Sequence, residues 1–186
     1  MAVESLPMDE DHPVTPRDPY ALGKRTVEVQ ADGFGRRSGS PTSVATFRLP
    51  FVADPDLMRE HFVEPDRTLE GIGDGSWVTR DDLFAYVGRT DAARALRRGI
   101  ETDLGGHETF FLSARDTTMT TPTPEIIERC YSEADADPAA FDEYESVVDT
   151  GKAERLLGWE PRQSWRDLDP GRVAEVGSAD RRQVRE

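Results

Sequence analysis

The chain has 186 residues, enough for one ordinary domain, and its 37 Asp and Glu against 23 Lys and Arg leave a formal charge of -14 at pH 7. A surface this acidic repels phosphate backbones and anionic lipid, which argues against nucleic acid and membrane as partners. Cys130 is the only cysteine, so an internal disulfide framework and a multi-cysteine zinc site are excluded.

No apolar run approaches the roughly 18 residues that a spanning helix needs. The start of the chain carries prolines and acids where a signal peptide needs an apolar centre, so a cytoplasmic protein is expected. Lys24 and Lys152 are the only lysines and asparagine is absent. Excess carboxylate with arginine as nearly the sole cation suits a protein kept soluble at high salt, and a biased genome composition accounts for it equally well.

Residues 1–18 hold three prolines and no helical or strand periodicity, and read as an extended surface leader. Asp18 followed by Pro19 is a helix start, a capping carboxylate before a ring already set to helical φ, and Gly33 and Gly35 supply the stop. A helix is therefore expected over 19–32. Between 43 and 52, Val44, Ala45, Phe47, Leu49, Phe51 and Val52 form a short apolar run with prolines near its ends, as a buried strand would. The stretch 54–62 reads as a short helix or turn and 67–75 as a weak strand or loop ending in glycines. Leu83 to Val87 reads as a second buried strand, and 90–101 as a helix with Ala92, Ala93, Leu96 and Ile100 on its apolar face. A third strand is expected over 108–113, a helix over 123–132 starting at Thr123-Pro124, and a last helix over 149–157 closed by Gly158. The tail 169–186 is polar. Helix and strand in alternation predict an α/β layer.

The most specific chemical feature is Tyr20-Ala21-Leu22-Gly23-Lys24 at the start of the first helix. Residues four apart share a helix face, so the ammonium of Lys24 can sit beside the phenol of Tyr20. A phenol is a poor acid or base near neutral pH, and a neighbouring cation favours the phenolate. Such a tyrosine can exchange a proton with a substrate hydroxyl or carbonyl while a cofactor moves hydride.

The segment from Asp9 through His12-Pro13-Val14-Thr15-Pro16-Arg17-Asp18-Pro19 to Tyr20 and Lys24 resembles the surroundings of the YxxxK motif in extended short-chain dehydrogenases/reductases, the NAD-dependent epimerase/dehydratase family. Further segments follow in that family's order. Phe47-Arg48-Leu49-Pro50-Phe51-Val52 is similar to the strand after the catalytic helix, and Tyr86-Val87-Gly88-Arg89-Thr90-Asp91 to a later strand, aspartate and helix. Asp149-Thr150-Gly151-Lys152-Ala153 through Leu157-Gly158-Trp159-Glu160-Pro161 is similar to its D-x-x-K-A-x-x-x-L-G-W-x-P signature. The resemblance implies the C-terminal part of a Rossmann-type fold with a small substrate lobe, over 19–168, acting with NAD or NADP on a sugar-like or other hydroxylated small molecule. It implies Tyr20 as acid/base and Lys24 as the group that lowers its pKa and hydrogen-bonds the nicotinamide ribose, with Pro50, Phe51 and Val52 near the nicotinamide.

The family's glycine-rich strand-turn-helix, which seats the cofactor pyrophosphate, has no counterpart; Gly71-x-Gly73-x-Gly75 lacks the third spaced glycine and reads as a loop. Two readings therefore stay open: an enzyme lacking its N-terminal dinucleotide-binding half, or a non-catalytic fragment or accessory subunit that needs a partner chain. A homodimer is expected by analogy. Nucleotide-sugar epimerases of the family often carry an arginine seven residues before the position of Asp91, where this chain has Phe84, with Arg80 nearby. No metal is expected, since Asp9, Glu10, Asp11 and His12 read as a solvated charge run. Asp81-Asp82 and Asp142 to Glu145 read as surface, Cys130 as a small core residue beside Ile126 and Ile127, and Trp77, Trp159 and Trp165 as packing residues.

Overall fold

The computed structural model describes residues 3–37, 43–73 and 76–168; the expected polar tail and Gly75 lie outside them. Helix α1, Pro19–Gly35, starts where the sequence places it: the Asp18 carboxylate accepts the Ala21 N–H at 2.9 Å, and Pro19 takes a position where a missing N–H costs nothing. It runs past Gly33 because neither glycine is asked for a positive φ, and Gly35 lets the helix end lie against the chain at His107, where a Cβ would come within 2.6 Å of the His107 nitrogen.

The sheet consists of two parallel pairs. Strand β1, Val44–Arg48, pairs with β4, His107–Phe111, in register from Val44 opposite His107 to Arg48 opposite Phe111. Strand β2, Phe51–Ala53, pairs with β3, Tyr86–Gly88. The single strand expected over 43–52 is thus two, parted at Leu49-Pro50, where a proline cannot donate to a ladder. The two pairs are tied by the chain beyond β4, where Leu112 donates to the Arg48 carbonyl and Ala114 to that of Tyr86.

The strand expected from Leu83 begins only at Tyr86, because Leu83 and Phe84 are left-handed, with φ of 60° and 50°. Their apolar character reflects burial and not extension. Between β2 and β3, α2 (Pro55–Met58) continues into one π-type turn, Arg59–Val63, and 67–73 is turn and loop. Helices α3 (Arg89–Glu101), α4 (Thr123–Cys130) and α5 (Gly151–Leu157) fall within two residues of their expected bounds, and Gly158 closes α5 at φ 60°.

Three apolar clusters make the core. One joins Val87, Ala95, Phe110, Leu112, Leu157 and Trp159, a second Met58, Phe62, Val78, Tyr86 and Trp165. The third includes Met119, Ile126, Tyr131 and, from the opening segment, Leu6 and Met8. That segment is extended, but it is not confined to the surface. Alternate side chains enter the core while Leu6 and Met8 donate backbone N–H groups to the carbonyls of Asp135 and Val147, and Asp149 donates to Met8. Trp159 and Trp165 are buried and Trp77 is exposed. Arg67, 2% exposed, donates to the Thr118 and Val78 carbonyls and to the Ser76 and Thr118 hydroxyls, and burial draws its pKa down to about 10. Among the described residues no helix is long and apolar enough to cross a membrane.

Candidate active site

The start of α1 forms one wall of a cleft of about 560 Å³, completed by stretches around Val14, Pro50, Leu83 and Phe111. Tyr20 and Lys24 both line it. The Lys24 Nζ lies 5.3 Å from the centroid of the Tyr20 ring, an ammonium over an aromatic face one helical turn away. Tyr20 is 75% exposed, so its hydroxyl is reachable from solvent. Pro50 and Phe51 line the same cleft; Val52 is partly exposed and is not among the lining residues. The geometry therefore brings together four of the five candidate site residues.

What holds α1 in place is a clamp that spacing alone did not single out. Glu28, one turn beyond Lys24, accepts from Arg48 Nε at 2.8 Å and Nη2 at 3.0 Å, and from Arg25 Nη1 at 2.8 Å. The Arg48 bonds, then Arg25, hold the Glu28 carboxyl below its ordinary range against the opposing effect of burial. Because the folded pKa is depressed, this contribution is present above the unfolded value near 4.5 and is lost as pH falls through the folded one. Glu28→Gln should accordingly lower stability by about 1–2 kcal/mol at pH 7, and urea midpoints of the two proteins should converge as the pH is lowered beneath 4.5. A constant difference at every pH would show that the charge is not what matters.

The acidic run before α1 serves the fold. Glu10 Oε1 accepts the Phe111 N–H at 2.7 Å, and His12 accepts the Glu4 N–H at Nε2, which leaves Nδ1 to donate to the Pro13 carbonyl. Asp82 accepts from the backbone and hydroxyl of Thr79 and so caps the turn Arg80–Asp82. Among the described residues no group of three or more His, Cys, Asp or Glu is placed to hold a metal ion. Cys130 is half-buried against the third core cluster, and burial raises its thiol pKa.

A second polar cluster secures the end of the described chain. The Tyr86 hydroxyl donates to Asp116 at 2.7 Å and accepts the Trp165 N–H, while Ser164 donates to the other Asp116 oxygen at 2.8 Å. Burial raises the pKa of both Tyr86 and Asp116. This network lies apart from the Tyr20 cleft and opens toward a groove of about 850 Å³ of mixed charge.

No protein-family model matches the chain, and no curated protein matches it. Solved structures do. MoeE5 in complex with UDP-glucose and NAD superposes with a TM-score of 0.54 at 19% identity, covering 95% of this chain and 60% of that one. UDP-N-acetylglucosamine 4-epimerase from Bacillus cereus gives 0.51 at 16% identity over 97% and 60%, and RMD from Pseudomonas aeruginosa complexed with NADPH gives 0.50 at 15% over 92% and 60%. The chain thus spans about 60% of the length of these structures. It has the fold of the C-terminal portion of Rossmann-type epimerase structures, and at such identities the likeness establishes fold alone.

Proposed function

We propose that this chain is the tyrosine- and lysine-bearing part of a cytoplasmic NAD(P)-dependent epimerase, dehydratase or reductase acting on a sugar-like or other hydroxylated small molecule. The observation that carries the reading is the pairing of Tyr20 and Lys24 on the wall of the cleft, at the start of α1. As phenolate, Tyr20 takes the proton of a substrate hydroxyl; as phenol, it returns one to a carbonyl oxygen. The two exposed donors beside Pro50 and Phe51 fit the nicotinamide-ribose end of a dinucleotide, with Lys24 as the ribose contact. When bound, that cofactor accepts or returns a hydride. Its pyrophosphate has no glycine-rich cradle among the described residues.

A titration of NADH or NADPH fluorescence tests this. A saturable change in emission is expected, weakened about tenfold in Lys24→Met through loss of one charged hydrogen bond. No saturable change with either dinucleotide removes the cofactor from the reading.

A second reading, a fragment or accessory subunit bound to another chain or to its own copy, draws on different features. Helix α1 leaves Leu22, Val27, Val29 and Phe34 more than half exposed, and β1 is hydrogen-bonded to β4 alone among the described strands. Size exclusion distinguishes a monomer from an associated form.

A further inference from the structure

Resting on the reading of Tyr20 and Lys24 as the reacting pair, we infer that Arg48 is a positioning residue that keeps the Lys24 ammonium available by occupying the carboxylate of Glu28. Tyr20, Lys24 and Glu28 follow one another at intervals of four, so on α1 their side chains leave the helix within an arc of about 80°. A lysine and a glutamate at that spacing are neighbours that ordinarily pair. Here no ion pair joins them, and the ammonium lies over the Tyr20 ring instead.

Glu28 is taken by two guanidinium groups. Arg48, at the end of β1, donates Nε to Oε1 at 2.8 Å and Nη2 to Oε2 at 3.0 Å, a bidentate fork that only arginine can make, while Arg25 reaches Oε2 alone. Both members of the fork are mostly buried, with side chains 18% and 12% exposed. Arg48 is itself held from the other side: Nη1 donates to the Glu10 carbonyl at 3.4 Å, and the guanidinium stands 5.2 Å from the Phe111 ring centroid. These contacts anchor the fork to the sheet and to the opening segment, so the Glu28 carboxylate is drawn toward β1 and away from Lys24. All four side chains, from Tyr20 to Arg48, line the cleft. Removing Arg48 strips Oε1 of its donor one helical turn from the ammonium. The carboxylate then takes Lys24, drawing it off the Tyr20 ring and away from the ribose hydroxyl of a ligand.

Acetylation of the full chain by a limiting amount of acetic anhydride tests this, because Lys24 and Lys152 are the only lysines and the second serves as an internal reference. An ammonium held by a carboxylate yields its proton less readily and is modified more slowly. Lys24 should react about twofold more slowly in Arg48→Met than in the parent, while Lys152, whose Nζ lies 2.8 Å from Glu108, keeps its rate. Adding Glu28→Gln to Arg48→Met removes the competing carboxylate, and the parental rate should return although the clamp is still absent. A purely structural role would leave the double variant as perturbed as the single one. Arg48→Gln, which retains a side-chain N–H, is expected to slow Lys24 in the same way and serves if the methionine variant does not fold. NADH titration of the same proteins keeps the two questions apart: no binding to the parent overturns the reading of the pair as a cofactor contact, whereas acetylation by itself decides the placement of Lys24. An unchanged Lys24 rate without Arg48, or equal slowing with and without Glu28→Gln, overturns the inference.

Discussion

If Tyr20 is the acid/base of the proposed reaction, replacing it by Phe is expected to lower turnover about a thousandfold, the typical contribution of a placed acid/base, while the melting temperature stays put. The substitution isolates one oxygen. Phe keeps the ring beneath the Lys24 ammonium, whose Nζ stands 5.3 Å from its centroid, so the cation–π contact survives. Tyr20 is 75% exposed, and changes at such positions shift stability by no more than about 0.5 kcal/mol. Steady-state rates with the cofactor present, alongside a thermal melt, check both halves. Equal rates in the two proteins would take the phenol out of the chemistry, and a parallel loss of folding would reassign it to structure.

The largest effect on stability is expected at Asp91, where Asp91→Ala should cost about 3–5 kcal/mol, a large share of the 5–15 of an ordinary domain. Asp91 lies in the first turn of α3 and is 1% exposed. Its carboxylate accepts the N–H groups of Arg162 and Gln163 at 2.7 and 2.8 Å and Arg94 Nη2 at 2.5 Å. Removal strands the two backbone donors, each of which then carries its own desolvation cost, and takes from Arg94 its charged partner while leaving it the Glu160 carbonyl. The Asp91 carbonyl, which accepts Trp159 Nε1 at 2.9 Å, is untouched, so the loss measures the carboxylate by itself. Asp91→Asn, which retains one strong acceptor, should fall between the two in urea melts. A cost under about 1 kcal/mol for the alanine variant would mean that water replaces the lost bonds.

Asp91 also shows how much of the site was legible beforehand. The resemblance marked it as part of a strand-aspartate-helix segment, but its partners, some 70 residues further on, came only with the fold. That Tyr20 and Lys24 share one helix face was legible, because a spacing of four on a helix leaves little freedom. Glu28 and Arg48 were not. Glu28 continues the same i+4 series, a signal that was there to read, but its bidentate partner stands on β1, and nothing in either neighbourhood announces the pair. Val52 is not among the residues lining the cleft for a local reason: once Pro50 parts the strands, alternation sends Phe51 toward the cleft and the next side chain away from it.

By itself the sequence determined where α1 begins, where α5 ends and that a phenol and an ammonium share one face, since capping, glycine at positive φ and helical spacing act over a few residues. Tertiary structure alone decided that Leu6 and Met8 leave the surface, that Leu83 and Phe84 turn left-handed, and that a cleft of mixed charge forms around Tyr20. Each of those outcomes balances burial of one segment against contacts from another dozens of residues away, and local propensity has no access to that balance.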